Sequence, residues 1–273
     1  MNRFLALFAL ILAMLATTLA IQAFRAMPRH VSTGQINLRM LIQGQKPHQA
    51  SPTVIFDTFG FANLEIWNHV QPAVESFART ISFDHAGHWG SEPGPKPRDA
   101  RQLALELRAA LRQAQIDPPF LLVGYSMGGI YSRVFTEMFS NEVAGIVLVD
   151  PSMEDFMEWM ARKFPQMVRI SDANREAQDE WASQWLSVEQ ARASKLPPIP
   201  MTLITGMKPQ DMLTRRVLPY WLETHRLWLQ SYPTAQHIVT TNSGHEVILS
   251  DPPLVIGAVK RMVDQIQMNA PGL

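Results

Sequence analysis

Cysteine is absent from all 273 positions, which excludes disulfides, thiolate nucleophiles and cysteine-held metals at the outset. The absence does not choose a compartment, because exported proteins also fold without disulfides. Charge of either sign is not in excess: 24 basic residues balance 24 acidic ones, for a formal net charge of +0. With no polybasic tract and no acidic tail, the chain has neither the footprint of a nucleic-acid binder nor that of a partner for highly charged surfaces. Hydrophobic residues make up 47% of the chain, enough at this length for one large domain with a full core rather than two small ones.

One long run without charge stands at the amino terminus. Residues 4–24, behind Arg3, are rich in Leu, Ala and Phe, and roughly 20 apolar residues suffice to span a bilayer. Residues 1–26 therefore read as a membrane-targeting segment, either an uncleaved signal-anchor or a cleaved signal peptide with Thr18-Leu19-Ala20 near its cleavage site. Arg3 on one flank competes with Arg25 and Arg29 on the other, so the positive-inside rule barely separates the two orientations. The likeness to a signal sequence favours an exported or membrane-anchored domain outside the cytoplasm, with the membrane as a partner through this segment.

After a short basic linker at residues 27–30, the chain becomes rhythmic. Residues 31–44 alternate as the first strands of a sheet. Apolar runs at 53–56, 80–83, 120–123, 146–149, 201–205 and 237–241 then alternate with amphipathic stretches. That order predicts an α/β fold: a mostly parallel twisted sheet with helices on both faces, occupying residues 31–270. Residues 98–115 show the helical period, with Leu103, Leu107 and Leu111 on one stripe and Arg101, Glu106, Arg108 and Arg112 away from it. A last helix is expected from Asp251-Pro252-Pro253 to about Met268. Residues 152–196 break the rhythm. They hold no good strand and are rich in Met and Trp, which predicts a helical cap inserted at the carboxyl end of a strand, above the ligand crevice. Its aromatic and methionine stripe reads first as packing and second as a substrate wall.

The strand expected at 120–123 ends in Gly124-Tyr125-Ser126-Met127-Gly128-Gly129 and resumes as a helix running to Phe139. A serine flanked at two residues on each side by glycine, on a sharp strand-to-helix turn, is the pattern of a nucleophile elbow, which exposes the hydroxyl at the strand's carboxyl end. Such a hydroxyl needs a base within hydrogen-bond reach. Of the 8 histidines, His245 follows directly on the strand expected at 237–241, so it reaches the same sheet edge as Ser126. His85 and His88 read as loop and pocket-edge residues, and His225, on a helix with Trp221 and Trp228, as packing.

Here the chain resembles the α/β-hydrolase superfamily from residue 31 onward. The likeness is carried by the Gly124 to Gly129 elbow, by Phe83-Asp84-His85-Ala86-Gly87-His88-Trp89-Gly90-Ser91, which is similar to the family's loop after the fourth strand, and by Ser243-Gly244-His245 with Asp251-Pro252. The resemblance implies a serine esterase or lipase-like hydrolase acting through Ser126, His245 and an acid. Asp150, at the end of the strand 146–149, is the first choice for that acid, and Asp211, in the loop after 201–205, is the alternative. The resemblance also implies an oxyanion hole built from the backbone amide of Met127 and one from the loop Asp57-Thr58-Phe59-Gly60-Phe61, with Gly60 in the donor position when counted back from Trp67. This chemistry requires neither metal nor organic cofactor. The expected partner is a small-molecule or lipid-like acyl substrate. A membrane-tethered acyltransferase and a catalytically silent binding module remain the alternatives, and the oligomeric state is open.

Overall fold

A computed structural model describes residues 27–165 and 178–269. The expectation of a membrane-targeting segment at residues 1–26 lies outside the described residues, as does the middle of the expected cap. Among the described residues no helix is long and apolar enough to cross a membrane.

Eight strands form one sheet: β1 (Arg29–Ser32), β2 (Asn37–Gln43), β3 (Thr53–Asp57), β4 (Thr80–Phe83), β5 (Phe120–Tyr125), β6 (Val143–Val149), β7 (Met201–Gly206) and β8 (Gln236–Thr240). Their order is β1-β2-β4-β3-β5-β6-β7-β8. β2 runs antiparallel to β1 and β4, and all strands from β4 through β8 pair in parallel. The residues expected to be a linker already contribute to the sheet, because Arg29 pairs with Met40 across the β1–β2 hairpin. β3, β4, β5 and β7 are buried along their whole length. Burial on both faces is why they read as continuous apolar runs rather than alternating ones.

Helices cover the two faces, as parallel crossovers require. On one face α2 (Ala100–Gln113) packs Ala104, Leu107 and Leu111 with Ile55, Leu122, Ile146 and Leu203. Its start is set by Asp99, whose carboxylate accepts the amides of Arg101 and Gln102 at 3.0 and 3.2 Å. Glu106, expected on its solvent side, is instead buried and paired with Arg98 at 2.5 Å. On the other face α9 (Pro252–Met268) buries Val255, Val259, Met262 and Val263 against Val54, Val123 and Val147. The remaining elements after β2 include a 3-10 turn (Leu64–His69), α1 (Gln71–Val74), the post-elbow helix α3 (Gly128–Met138), the long α7 (Met212–Leu229) and, after β8, the short α8 (Val247–Ser250).

Between β6 and β7 the described residues form α4 (Glu154–Lys163), α5 (Gln178–Ala182) and α6 (Gln184–Ala193). This insertion is tied to the body below it by a buried pair, Arg133 of α3 with Glu154 of α4 at 2.6 Å, with the guanidinium 5.3 Å from the centre of the Trp228 ring. Both partners are almost fully shielded from water. Removing one leaves an uncompensated buried charge, so Arg133→Met should cost about 3 to 5 kcal/mol. Urea unfolding checks this, and a loss below about 1 kcal/mol would contradict a charge held by that partner alone.

Candidate active site

β5 delivers Ser126 at the junction with α3. Ser126 has a positive φ of 54°, a left-handed backbone that a non-glycine residue adopts only where its surroundings hold it. Its amide donates to the Val149 carbonyl at 3.2 Å, and its carbonyl accepts the amides of Gly129 and Ser152 at 3.0 and 2.9 Å. The flanking glycines answer to close packing. A Cβ on Gly124 would lie 2.6 Å from Ser132 Oγ, and one on Gly128 would lie 2.8 Å from the Thr58 amide nitrogen. The elbow is therefore wedged directly against the loop that follows β3.

Because β5, β6 and β8 are parallel, their carboxyl ends converge. His245, in the loop after β8, brings Nε2 within 3.1 Å of Ser126 Oγ and Nδ1 within 2.7 Å of Asp150 Oδ2. An ionised carboxylate can only accept, so Nδ1 carries the proton and Nε2 is left to accept from the serine hydroxyl. The ring lies between two aromatic groups, 5.1 Å from Tyr125 and 5.7 Å from Trp221, centre to centre.

Asp150 ends β6, is 1% exposed and also has a positive φ, 44°. Its other oxygen, Oδ1, accepts the Gly206 amide at 2.8 Å and the Trp221 indole N–H at 2.9 Å. The two oxygens thus have separate duties, one toward the imidazole and one toward fixed donors from β7 and α7. Asp211 stands elsewhere. It is the exposed N-cap of α7, accepting the Thr214 amide at 2.7 Å and the Thr214 hydroxyl at 2.9 Å. Those hydrogen bonds hold its carboxyl below its ordinary pKa, and it makes no hydrogen bond to His245.

The Gly60 amide, expected as the second oxyanion donor, is committed otherwise: it donates to Glu180 Oε1 at 3.1 Å. The physical reason is that Glu180, on α5, is fully buried, and a buried carboxylate must collect donors. Besides Gly60 it accepts the Tyr131 hydroxyl at 2.8 Å and His85 Nδ1 at 2.9 Å, with His88 Nε2 at 3.4 Å. His85 Nε2 in turn meets Asp57 Oδ1 at 2.8 Å. His85 is therefore not a pocket-edge residue but the centre of a buried charge cluster. Burial works against its cationic form, but Glu180 and Asp57 outweigh it and raise its pKa to about 10. The same contacts overcome burial at Glu180 and hold its carboxyl well below the usual range, while burial dominates at Asp57 and raises its pKa. Among the described residues the amides of Phe59 and Met127 make no hydrogen bond.

His225 lies behind Asp150. Its Nε2 donates to the Pro151 carbonyl at 2.9 Å, and Nδ1 accepts from the Thr205 hydroxyl at 2.7 Å. Burial lowers its pKa from 6.5 to about 4, opposed in part by the Asp150 charge and the Pro151 carbonyl. The folded protein keeps this imidazole neutral down to about pH 4, whereas the unfolded chain takes up the proton near 6.5. Acid therefore favours unfolding across that window, by about 2 kcal/mol between roughly pH 7.5 and 5. Urea midpoints of the wild type and His225→Gln should diverge at the upper pH and converge toward the lower one. A constant difference across the window would contradict a neutral folded imidazole.

A cavity of about 380 Å³ opens beside His245 and Asp150. The insertion contributes Phe156, Met157, Met160, Phe164, Trp181 and Trp185 to its wall, and α7 adds Val217, Leu218 and Trp221. The aromatic and methionine stripe is thus divided: Met153 belongs to the core, Trp159 packs on Tyr220, and the residues just named face the cavity.

The parallel sheet with its antiparallel β2, the serine elbow after β5 and the capping insertion after β6 define a protein of the α/β-hydrolase fold. The family model described as alpha/beta hydrolase fold matches residues 52–181. Among curated proteins the chain is similar to the uncharacterized protein YqjL of Bacillus subtilis, 22% identical over 209 residues, which cover 74% of this chain and 80% of YqjL. Among solved structures it is similar to a thermophilic esterase from Thermogutta terrifontis, with a TM-score of 0.67 at 17% identity over 88% of this chain and 99% of the esterase. It is also similar to CarC, a serine hydrolase involved in carbazole degradation, with a TM-score of 0.64 at 16% identity over 87% of this chain and 98% of CarC. At these identities the likeness to solved structures is one of fold.

Proposed function

We propose that this protein is a serine hydrolase that cleaves a carboxylic ester through an acyl-enzyme. The observation that carries this reading is the hydrogen-bonded line from Ser126 through His245 to Asp150, beside an apolar cavity. Ser126 Oγ attacks the ester carbonyl as His245 Nε2 takes its proton. His245 then returns that proton to the leaving alkoxide, and the alcohol departs. Water, deprotonated by the same nitrogen, attacks the acyl-enzyme, releases the carboxylic acid and restores the serine. Asp150 keeps the imidazole in the tautomer with a free Nε2 and stabilises the imidazolium.

The tetrahedral oxyanion needs two donors that are not already engaged. Met127, immediately after the nucleophile, supplies one. Phe59 supplies the other in this reading, since its amide is unpartnered among the described residues and the Gly60 amide is not. The predominantly apolar wall supports an apolar acyl or alcohol group, and Lys208 and Gln210 are polar residues of the same lining. Residues 1–26 are proposed as a membrane tether on the strength of their apolar run.

The test is hydrolysis of nitrophenyl esters of increasing acyl length, together with labelling by a fluorophosphonate. Turnover should rise with acyl length until the cavity is full, and the label should attach to Ser126. Folded protein that neither turns over any ester nor takes the label would overturn the reading, and transfer to added alcohol in preference to water would reassign it to acyl transfer.

A further inference from the structure

We infer that Glu180 is a positioning residue for the oxyanion loop, a grip through which the inserted cap sets the donor geometry at the nucleophile. The inference rests on the reading of Ser126 as nucleophile with the Met127 and Phe59 amides as donors. It starts from a buried charge that the hydrolytic steps do not use. Glu180 is fully shielded from water, and its two oxygens meet four donor-bearing groups drawn from three parts of the fold: the loop after β3, the loop after β4, and α3.

The contact with Gly60 is what gives Glu180 a bearing on the reaction. On one side of Gly60 its amide is held by Glu180 Oε1, and on the other its carbonyl accepts the Trp89 indole N–H at 3.0 Å. The peptide between Phe59 and Gly60 is thus held at its N–H by Glu180 and at its carbonyl by the Ala62 amide at 2.9 Å, and the next peptide is held at its carbonyl by Trp89, so the loop has little freedom to rotate, while among the described residues the Phe59 amide itself makes no hydrogen bond. The approach is close enough that a Cβ on Gly60 would lie 2.6 Å from Glu180 Oε2 and 2.7 Å from His88 Nε2. The neighbouring cap residue adds an apolar grip on the same loop. Trp181 packs 5.6 Å from Phe59 and 5.8 Å from Phe61, ring centre to ring centre, and it also lines the cavity. Two consecutive cap residues thus hold the loop, one by a hydrogen bond to its backbone and one by its aromatic side chains.

What the loop needs from Glu180 is an acceptor at a given position rather than a negative charge. A displacement of about 1 Å in a transition-state donor can cost on the order of 10²-fold in rate. The two substitutions that separate position from charge are Glu180→Gln and Glu180→Asp. Gln keeps an oxygen for Gly60 and Tyr131 and turns its NH2 to His85, which without the Glu180 charge gives up its Nδ1 proton to accept that donor and keeps Nε2–H toward Asp57. Asp keeps the charge but withdraws the acceptor by one methylene.

Each variant is compared with the wild type in ester turnover and in affinity for a trifluoromethyl ketone, which forms the tetrahedral oxyanion with serine. Binding of the product alcohol serves as the ground-state control. Glu180→Asp should lose about 10- to 100-fold in kcat with KM within about threefold, and ketone affinity should fall in parallel. Glu180→Gln should stay within about tenfold of the wild type in both. The inference is overturned if Gln is impaired and Asp is not, if both variants match the wild type, or if kcat falls while ketone affinity holds. Should either variant fail to fold, Trp89→Phe, which releases the Gly60 carbonyl on the far side of that residue, should give the same parallel loss of kcat and ketone affinity, and its absence would equally overturn the inference. Failure of the underlying reading is seen separately, as a wild type that neither turns over ester nor binds the ketone.

Discussion

Ser126→Ala should abolish ester turnover, with a loss of about 10⁴-fold or more in kcat. The residue offers the hydroxyl within reach of the His245 imidazole, and alanine cannot form the acyl-enzyme. Stability should hardly change. Ala keeps the Cβ and so bears the same left-handed backbone at φ 54°, and the hydrogen bonds that fix the turn run through the backbone amide and carbonyl of residue 126. The Tm should stay within a few degrees of the wild type, and fluorophosphonate labelling should vanish. A variant that is folded and still turns over ester at more than about a hundredth of the wild-type rate would remove Ser126 from the mechanism.

Asp150→Asn should be nearly as damaging, at about 10⁴-fold in kcat, for a reason of tautomer rather than of charge alone. Oδ1 faces two donors, the Gly206 amide and the Trp221 indole, so an asparagine must turn its carbonyl oxygen there and its NH2 toward His245. Nδ1 would then have to accept, the ring proton would move to Nε2, and the serine would face a donor in place of a base. Asp211→Asn provides the contrast. Asparagine caps a helix about as well as aspartate, and residue 211 sits on the exposed start of α7, so kcat/KM should stay within about twofold. Full activity in Asp150→Asn with loss in Asp211→Asn would reverse the assignment of the acid.

Much of the architecture is legible in local patterns. Strands buried on both faces are uninterrupted apolar runs, α2 announces itself through Leu103, Leu107 and Leu111, and the pentad around Ser126 is written in glycine because its neighbours have no space for a side chain. Each of these depends on residues a few positions apart. The errors have the opposite character. Glu106 is charged and at the wrong phase for the buried stripe, yet Arg98 makes its burial tolerable. Gly60 sits at a suitable count from Trp67, yet its amide answers to a carboxylate 120 residues away in sequence. Nothing near Glu180 in the sequence marks it as buried. The one available signal was indirect: His85, Asp57 and a loop glycine, none of them with a clear partner of its own.

By itself the sequence determined the class of fold, the serine on its turn and the histidine that reaches the same sheet edge, because hydrophobic period, glycine spacing and strand order are local and additive along the chain. The tertiary structure decided which carboxylate stands beside His245, which amides have no partner among the described residues, and that the cap meets the loop through Glu180. Those outcomes follow from long-range pairing of buried polar groups. Such groups must be satisfied wherever the fold happens to bring donors and acceptors together, and no short stretch of sequence contains both halves of the pair.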